Sequence, residues 1–306
     1  MKIGYPCINL TLKCRSSRTF RLKNYAEERL IQTISNNLDC LGKILEFNVD
    51  NKILFFRITS DLIPFGSHPV MKFNWQDYFR TKFKVLGNFI KKNDIRITMH
   101  PGQYTVINSP KDKVYHNSLK ELIYHKNILD LLELDKSAKI ITHVGGVYND
   151  KQKSINKFIK RYHSLEENIK KYYVIENDDR SFNVRDCLAI SEQTGIPVIF
   201  DLYHHECYNT KELVQDVLKK VIKTWKSEDG LPIIHYSSEH PIKGKCRHAD
   251  SIDIIHFKNF IDLTKNYDFD IMIEIKNKEI STLQAINAIK NDERLKTVNT
   301  NKLIQI

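Results

Sequence analysis

Six short apolar runs in this sequence each end in a residue type that commonly binds metal ions, and successive runs are about one strand–helix unit apart. The runs and their last residues are IRITMH (His100), KIITH (His143), YYVIE (Glu176), PVIFD (Asp201), LPIIH (His235) and DIMIE (Glu274). Two more imidazoles, His204 and His248, follow two of these runs. A buried strand gains no stability from an ionisable last residue, so the recurrence predicts one site where the strand ends meet.

The types of these ligands narrow the metal chemistry. Taken singly, a strand-end histidine is more often a hydrogen-bonded core residue, and an acidic residue there is more often a helix cap. Imidazoles and carboxylates without paired cysteines favour Zn²⁺, Mn²⁺ or Fe over a cysteine-rich structural zinc site. Eight candidate ligands exceed what one tetrahedral ion uses. Because a carboxylate can bridge two ions, Glu176 and Asp201 indicate a cluster of two or three.

A multi-metal site in a basic protein indicates phosphodiester hydrolysis. Two ions about 3.5–4 Å apart stabilise both the attacking and the leaving oxygen of a phosphoester displacement, and metal-bound water with a pKa near ~7 supplies the nucleophile. The net charge of +11 and the pI near 9.2 favour a polyanionic partner. A lysine- and asparagine-rich composition from an A/T-rich genome would explain the charge equally well.

Eight β-branched or aromatic runs alternate with amphipathic stretches, which predicts a (β/α)8 TIM barrel. Near-continuous apolar runs suit strands that are covered on both faces. A doubly wound open sheet is the alternative, but it cannot bring so many strand ends to one point, whereas all barrel strands end at one mouth. The predicted strands are Ile3–Pro6, Ile53–Ile58, Ile95–His100, Lys139–His143, Tyr172–Glu176, Pro197–Asp201, Leu231–His235 and Asp270–Glu274.

Length and composition predict a single domain of 306 residues, with a core over about 1–276 and a helical tail over 277–306. No stretch approaches the ~18 apolar residues that span a bilayer, and the first ten residues show no signal-peptide pattern. The six cysteines form no CxxC pair and are expected to be reduced thiols. We therefore expect an intracellular, cytoplasmic monomer without membrane attachment, associated with the nucleoid if the source is bacterial.

Two polar and aromatic segments flank the candidate ligands. The HPGQY loop places Gln103 and Tyr104 just after His100. An exposed aromatic beside an amide can wedge into a base stack and bond an orphaned base; packing of Tyr104 under the barrel rim is the alternative. In GYPCINL, Tyr5 and Asn9 follow the first strand and are also expected at the mouth.

The segments GYPCINL, RITMHPGQYTVINSP, THVGG, IENDDR, FDLYHH, IHYSS and IMIEIK resemble, in this order, the motifs of the UV damage endonuclease family, whose members nick DNA beside photoproducts. The resemblance covers about residues 1–276. It implies a TIM barrel related to the endonuclease IV-type nucleases, with divalent ions commonly assigned as Mn²⁺, Zn²⁺ being the other option. One ion would be bound by His100 and His143, with Glu176 bridging to a second. The resemblance completes the second site with Asp201, His235 and Glu274, and a third with His204 and His248.

The resemblance also implies roles in binding DNA. Gln103 and Tyr104 would probe opposite the lesion, and Tyr5 and Asn9 would contact the flipped lesion or the nearby backbone. His68, in PFGSHP, would lie near the scissile phosphate.

One position departs from the family pattern. The expected catalytic residues are Glu176, His235 and His68. Members of the family can carry a lysine, which is carboxylated in some of them, two residues before the histidine of the seventh strand. Here that position is Ile233. The third ion would then bind more weakly, or a water or Asp250 would complete its site.

The expected function is incision of damaged double-stranded DNA immediately 5′ to a distorting lesion, without a nucleotide cofactor, leaving a 3′-hydroxyl and a 5′-phosphate. Cyclobutane dimers and 6-4 photoproducts are the expected lesions, with abasic sites as a further candidate. The alternatives are a general abasic-site endonuclease, a metal-dependent sugar isomerase and a non-catalytic DNA-binding protein. Arg180, Lys243, Lys245 and Arg247 are candidates for phosphate contacts or for a solvated rim.

Overall fold

The computed structural model describes residues 1–244 and 246–296. Eight parallel strands pair in sequence order and close on themselves, so the chain folds as the predicted (β/α)8 TIM barrel. All eight predicted strands are confirmed, with small shifts at their ends. They are β1 (Ile3–Pro6), β2 (Phe55–Ile58), β3 (Arg96–Met99), β4 (Lys139–His143), β5 (Tyr173–Glu176), β6 (Val198–Asp201), β7 (Ile233–Tyr236) and β8 (Asp270–Ile273).

Helices pack around the outside of this barrel, and none in the described ranges is long and apolar enough to cross a bilayer. The helices are α1 (Glu27–Asp50), α2 (Trp75–Tyr78), α3 (Arg80–Lys92), α4 (Asp112–Leu131), α5 (Lys151–His163), α6 (Glu167–Lys170), α7 (Val184–Thr194), α8 (Leu202–Cys207), α9 (Val214–Ile222), α10 (Ile254–Leu263) and α11 (Glu279–Ala288).

Side chains inside the barrel form three layers, because alternate residues of a strand point to the same face. The middle layer is apolar and contains Phe55, Ile141, Val174, Ile199, Ile233 and Met272, with Trp225 packed against them. The residues two positions earlier in three strands form what we call the lower charged layer: Arg96, Lys139 and Asp270, with Asp229 from the loop before β7. Those two positions later form the upper charged layer: Arg57, His143, Glu176, Asp201, His235 and Glu274, joined by His100 after β3.

The lower charged layer is a closed set of ion pairs. Arg96 Nη1 lies 2.7 Å from Asp270 Oδ2, and Lys139 Nζ lies 2.6 Å from Asp229 Oδ1. The other oxygen of Asp270 accepts the backbone N–H of Lys2 at 2.6 Å. The Arg96 guanidinium also lies over the Trp225 ring, 5.4 Å from its centroid. Each buried charge therefore has a partner of opposite sign, as burial requires.

The α7 helix shows the sequence signals that delimit an element. The Asn183 side chain accepts the N–H of Asp186, whose carboxylate accepts the N–H of Asn183, forming a capping box. The helix ends at Gly195, where φ is +72°, a conformation that glycine adopts without strain. Asn183 therefore caps the start of α7, and Gly195 ends it.

The predicted helical tail over 277–306 contains helix α11, on which Ala285 is buried. The backbone N–H of Lys296 donates to Met1 O at 2.9 Å, which brings the two ends of the described chain together. The predicted tail beyond residue 296 lies outside the described residues.

The expectation of reduced thiols is wrong for four of the six cysteines. Cys14 pairs with Cys40, and Cys207 pairs with Cys246, while Cys7 and Cys187 are free. The paired residues are 26 and 39 positions apart in sequence. Loops of the fold bring them together, so spacing along the chain gave no sign of either pair.

Candidate metal centre

Glu176 lies at the centre of the upper charged layer, with three imidazoles around its carboxylate. Its Oε1 is 2.8 Å from His100 Nε2 and 3.1 Å from His143 Nε2, and its Oε2 is 2.5 Å from His235 Nδ1. Burial alone would raise the pKa of Glu176, but the nearby imidazoles of His235, His143 and His100 outweigh burial and lower that pKa well below its ordinary value. A buried, ionised carboxylate among imidazoles is a donor set that divalent ions prefer.

Two groups of three potential ligands share this carboxylate. His100, His143 and Glu176 form one group, and Glu176, Asp201 and His235 form the other. Within each group the ligand atoms lie within 4.8 Å of one another. Although Glu176 Oε2 and His235 Nδ1 are close together, neither forms a hydrogen bond within the described chain. Buried polar atoms without partners are costly, and a bound cation would satisfy both, so these residues fit divalent ions.

Asp201 lies at the end of β6, and only one of its two carboxylate oxygens is free to bind a metal ion. Its carboxylate caps α8 by accepting the N–H of His204 at 2.7 Å through Oδ1. The second oxygen, Oδ2, lies 3.9 Å from His235 Nδ1 and 3.4 Å from His204 Nδ1. Burial raises the pKa of Asp201. The cap fixes the direction in which the free oxygen points.

Asn177 positions both Asp201 and His204, and sequence reasoning missed it. Its side chain donates to Asp201 O at 2.9 Å and accepts the N–H of Asp201 at 2.9 Å, and its own carbonyl accepts from His204 Nδ1 at 3.0 Å. Burial lowers the pKa of His204, but Asp201, Glu176 and Glu274 raise it to about 9. With Nδ1 donating to Asn177, a metal that binds Nε2 would displace the proton there. The available signal was an amide directly after Glu176 in IENDDR.

Arg57 is the second residue that sequence reasoning missed. Its Nη2 donates to Glu274 Oε1 at 2.6 Å and lies 2.9 Å from His235 Nε2. Burial would raise the pKa of Glu274, but Arg57 and His235 lower it further than burial raises it. Glu274 belongs to neither ligand group in this arrangement, and Arg57 engages its Oε1. The signal was a lone charge in the apolar run ILFFRI.

The predicted third ion has weaker support. The rings of His204 and His248 are 6.2 Å apart, and His248 Nδ1 is 2.8 Å from Ser237 Oγ. No third group of three ligand atoms forms among the described residues. Asp250 does not complete one, because its carboxylate is largely exposed and pairs with Lys276 at 2.8 Å. Ile233 is buried in the apolar layer below these residues.

A cavity of about 580 Å³ opens beside the ligand groups, between the loops that follow β3, β4 and β5. Its lining includes His100, His143 and His204 on one side and Tyr104 and Tyr148 on the other. Tyr104 is 81% exposed, so it does not pack under the rim. A smaller cavity of about 370 Å³ adjoins the opposite side of the Tyr104 loop.

The side chains of Tyr5 and Asn9 lie inside the protein, and their expected contact with DNA remains a prediction. Both are buried: Tyr5 donates to Asn48 Oδ1 at 2.7 Å, and Asn9 donates to Tyr5 Oη at 2.9 Å. Tyr5 points away from the barrel interior and packs edge-on against Phe56. The alternation of side chains along β1 turns Tyr5 toward helix α1, where Asn48 lies.

His68 is also placed apart from the metal ligands. It is exposed, packs against the Phe65 ring, and accepts the N–H of Val70 through Nδ1 at 3.1 Å. No contact between His68 and a candidate ligand is present in the described structure. Its expected role at the scissile phosphate remains a prediction.

The four cations that were candidates for phosphate contacts differ in their present partners. Arg180 borders the larger cavity but pairs with Asp179 at 2.9 Å. Lys243 and Arg247 belong to the loop closed by the bridge between Glu239 and His248. Lys245 lies outside the described residues. Of the predicted phosphate contacts, Arg180 is therefore already bonded to an acidic neighbour.

Comparison with known proteins shows similarity along the whole chain. The family model described as "UV-endonuclease UvdE" matches residues 1–304. The UV DNA damage endonuclease of Clostridium perfringens is 44% identical over 302 residues, covering 98% of this chain and 73% of that protein. The protein of the same name from Bacillus mycoides is 32% identical over 280 residues, covering 91% of this chain and 88% of that one.

Solved structures give the same result. The crystal structure of SacUVDE has a TM-score of 0.92 and 44% identity, covering 96% of this chain and 100% of that one. Endonuclease IV from Thermus thermophilus has a TM-score of 0.59 at 12% identity, covering 95% and 98% of the two chains. A D-psicose 3-epimerase from Clostridium cellulolyticum has a TM-score of 0.54 at 12% identity, covering 96% and 94%. The last two share the fold alone.

Proposed function

The chain belongs to the UV-endonuclease UvdE family and is thus a DNA repair endonuclease for UV damage, and from this premise we propose that it incises duplex DNA immediately 5′ to the lesion. The products are a 3′-hydroxyl and a 5′-phosphate. Cyclobutane pyrimidine dimers and 6-4 photoproducts are the proposed lesions, with abasic sites as further substrates.

The observation that carries this proposal is the buried carboxylate of Glu176, shared by two ligand groups at the barrel mouth. His100 and His143 would bind one divalent ion, and Asp201 and His235 a second, with Mn²⁺ as the proposed metal and Zn²⁺ as the alternative. His204, His248 and Glu274 are proposed to contribute to these ions or to a third. When bound, such ions neutralise charge on a phosphodiester and acidify water to a pKa near ~7.

Other residues of the chain hold the ligand side chains in position. Glu176, buried and ionised, lies between the two ligand groups, and Asn177 fixes the position of Asp201. Arg57 keeps a positive charge beside His235 and Glu274, because a guanidinium stays protonated at all pH values of interest. The upper charged layer is therefore oriented before DNA binds, as electrostatic catalysis requires.

The cavity beside the ligands supplies a place for an extruded nucleotide. Its volume of about 580 Å³ borders both the imidazoles and the exposed ring of Tyr104. A photoproduct already weakens stacking and pairing, so extrusion of the damaged nucleotides costs less than extrusion of intact ones. We assign Gln103 and Tyr104 to the space that these nucleotides leave. Selectivity then follows from the deformability of the lesion.

The experiment uses a 5′-labelled duplex with one cyclobutane dimer, the matched undamaged duplex and an abasic duplex, each incubated with protein and Mn²⁺. We expect one cut immediately 5′ to the dimer and none in the undamaged duplex. Glu176→Gln should reduce the rate by at least about 10³-fold, whereas Glu192→Gln on the exposed face of α7 should leave it unchanged. Equal cutting of damaged and undamaged DNA would overturn the proposal, and cutting of the abasic duplex alone would select the general abasic-site endonuclease.

A further inference from the structure

The loop that connects β1 to α1, residues 7–26, carries five cations between Lys13 and Lys23 and no acidic residue. The first 26 residues contain no Asp or Glu. Five cations lie on this loop, and all five side chains are exposed: Lys13, Arg15, Arg18, Arg21 and Lys23. Within the described chain, the ion pairs formed by residues 1–26 involve Met1 and Lys2 alone. The five loop cations, which we call the basic strip, therefore have no carboxylate partner there.

The basic strip lies on the face of the barrel that carries the metal ligands. The loop starts at the carboxyl end of β1, and all parallel strands of the barrel end at that face. Its Phe20 ring packs edge-on against Phe65, 5.2 Å between centroids, and Tyr25 packs against the same ring. Phe65 and Tyr104 line one cavity. The strip thus leads toward the exposed Tyr104 ring.

Backbone contacts anchor this loop and leave its charged side chains free. Asn37 on α1 accepts the N–H of Arg18 at 3.0 Å and donates to Arg18 O at 3.0 Å. Glu279 accepts the N–H of Leu10 at 2.8 Å and that of Thr11 at 2.7 Å. The Cys14–Cys40 bond is a third anchor and ties the loop to α1 a second time. An anchored loop loses little backbone entropy when a ligand binds.

We propose that the basic strip binds the phosphate backbone of the duplex that flanks the lesion. Unpaired guanidinium and ammonium groups on an ordered loop match a row of phosphates, and Arg presents a fork that binds a phosphate through two N–H groups. Charged runs are more often a solvated face, but such runs usually mix both signs, whereas this loop has cations alone. The proposal rests on the proposed function, because it assigns a binding surface for the same substrate.

The test compares two triple variants that each remove three positive charges. Arg15→Gln/Arg18→Gln/Arg21→Gln removes the centre of the strip. Lys52→Gln/Lys92→Gln/Lys265→Gln removes three exposed cations at or just beyond the carboxyl ends of helices, at the opposite end of the barrel. Affinity for an undamaged duplex of about 25 base pairs is measured by fluorescence anisotropy from about 50 to 200 mM KCl. Melting curves check that both variants are folded.

Each lost phosphate contact makes the slope of log affinity against log salt less negative by about 0.9, so the slope of the strip variant should be less negative by about 2.7. Its affinity should fall at least about tenfold at about 100 mM salt, while the control keeps the slope of the unmodified protein. An unchanged slope in the folded strip variant, or an equal loss in both variants, would overturn the proposal. Undamaged DNA needs no incision, so failure of the proposed endonuclease activity would leave this result interpretable.

Discussion

The two charged layers of the barrel interior lie one apolar layer apart and differ in how their charges are satisfied. In the lower layer, Arg96 pairs with Asp270 and Lys139 with Asp229, and both oxygens of Asp270 accept hydrogen bonds. In the upper layer, the shared carboxylate of Glu176 faces three imidazoles, and one of its oxygens has no hydrogen bond in the described chain. Similar residue types in the same barrel therefore serve different ends.

The difference separates charges that stabilise the fold from charges arranged for a ligand. Lower-layer groups pair with one another, so the protein should need nothing from solution to satisfy them. Upper-layer groups converge on shared points, which favours a bound divalent cation. The apolar layer between them, which includes Ile233, keeps the two sets from pairing across the barrel. Substitutions that remove a charge from the lower layer should therefore change stability. Substitutions in the upper layer should change the response to metal.

The largest effect is expected from Lys139→Met. This change leaves the buried Asp229 carboxylate without its cation and should reduce the free energy of unfolding by about 3–5 kcal/mol. Urea denaturation at pH 7 measures it, and Lys91→Met, in an exposed pair with Glu133, is the control with about 1 kcal/mol or less. The folded variant should bind Mn²⁺ as the unmodified protein does. A loss of metal without a loss of stability would reverse the roles of the layers.

A smaller effect is expected from Asn177→Ala. Removal of the amide frees the backbone of Asp201 and the end of β6, and it should weaken divalent-ion binding by about 10–100-fold. Metal titration by calorimetry measures it, with the exposed Asn156→Ala on α5 as the control. If the folded variant binds metal as tightly as the control does, Asn177 does not position the upper layer.

Tyr104→Ala should leave both layers unchanged and reduce lesion discrimination. Loss of one exposed stacking ring should lower the preference for damaged over undamaged duplex by about tenfold, since stacking on one base contributes about 1–3 kcal/mol. Competition binding with both duplexes measures it. Tyr104→Phe keeps the ring and should retain most of the preference. Metal loss in the Tyr104→Ala variant would contradict its separation from the upper layer.

The sequence predicted the barrel and the convergence of the ligands for the same reason. Strand-end residues such as His143 and Glu176 recur at the spacing of strand–helix units, and parallel closure brings such ends together. The sequence did not predict which side chains of the upper charged layer pair with one another. The pairing of Arg57 with Glu274 joins residues 217 positions apart, and it depends on the tilt of the strands and on the side-chain rotamers.

Loop positions were the least predictable part of the site. Asn9, which follows β1, was expected at the mouth, yet it is buried and donates to Tyr5 Oη at 2.9 Å. His68 follows β2 by several residues and packs against Phe65. The prediction of reduced cysteines was wrong for the same reason, because each disulfide joins two segments that meet only after folding. Periodicity places residues within strands, and it carries no information about the paths of loops.

The response of thermal stability to Mn²⁺ tests the separation of the two layers most directly. Melting temperatures are measured in EDTA and in excess Mn²⁺ for the unmodified protein, Glu176→Gln and Lys139→Met. At Mn²⁺ near 100 times the dissociation constant, binding contributes about 2.7 kcal/mol, which raises the melting temperature by roughly 4 °C. We predict this rise for the unmodified protein and for Lys139→Met, and none for Glu176→Gln. No rise in the unmodified protein, or an equal rise in Glu176→Gln, would contradict a divalent metal centre built on Glu176.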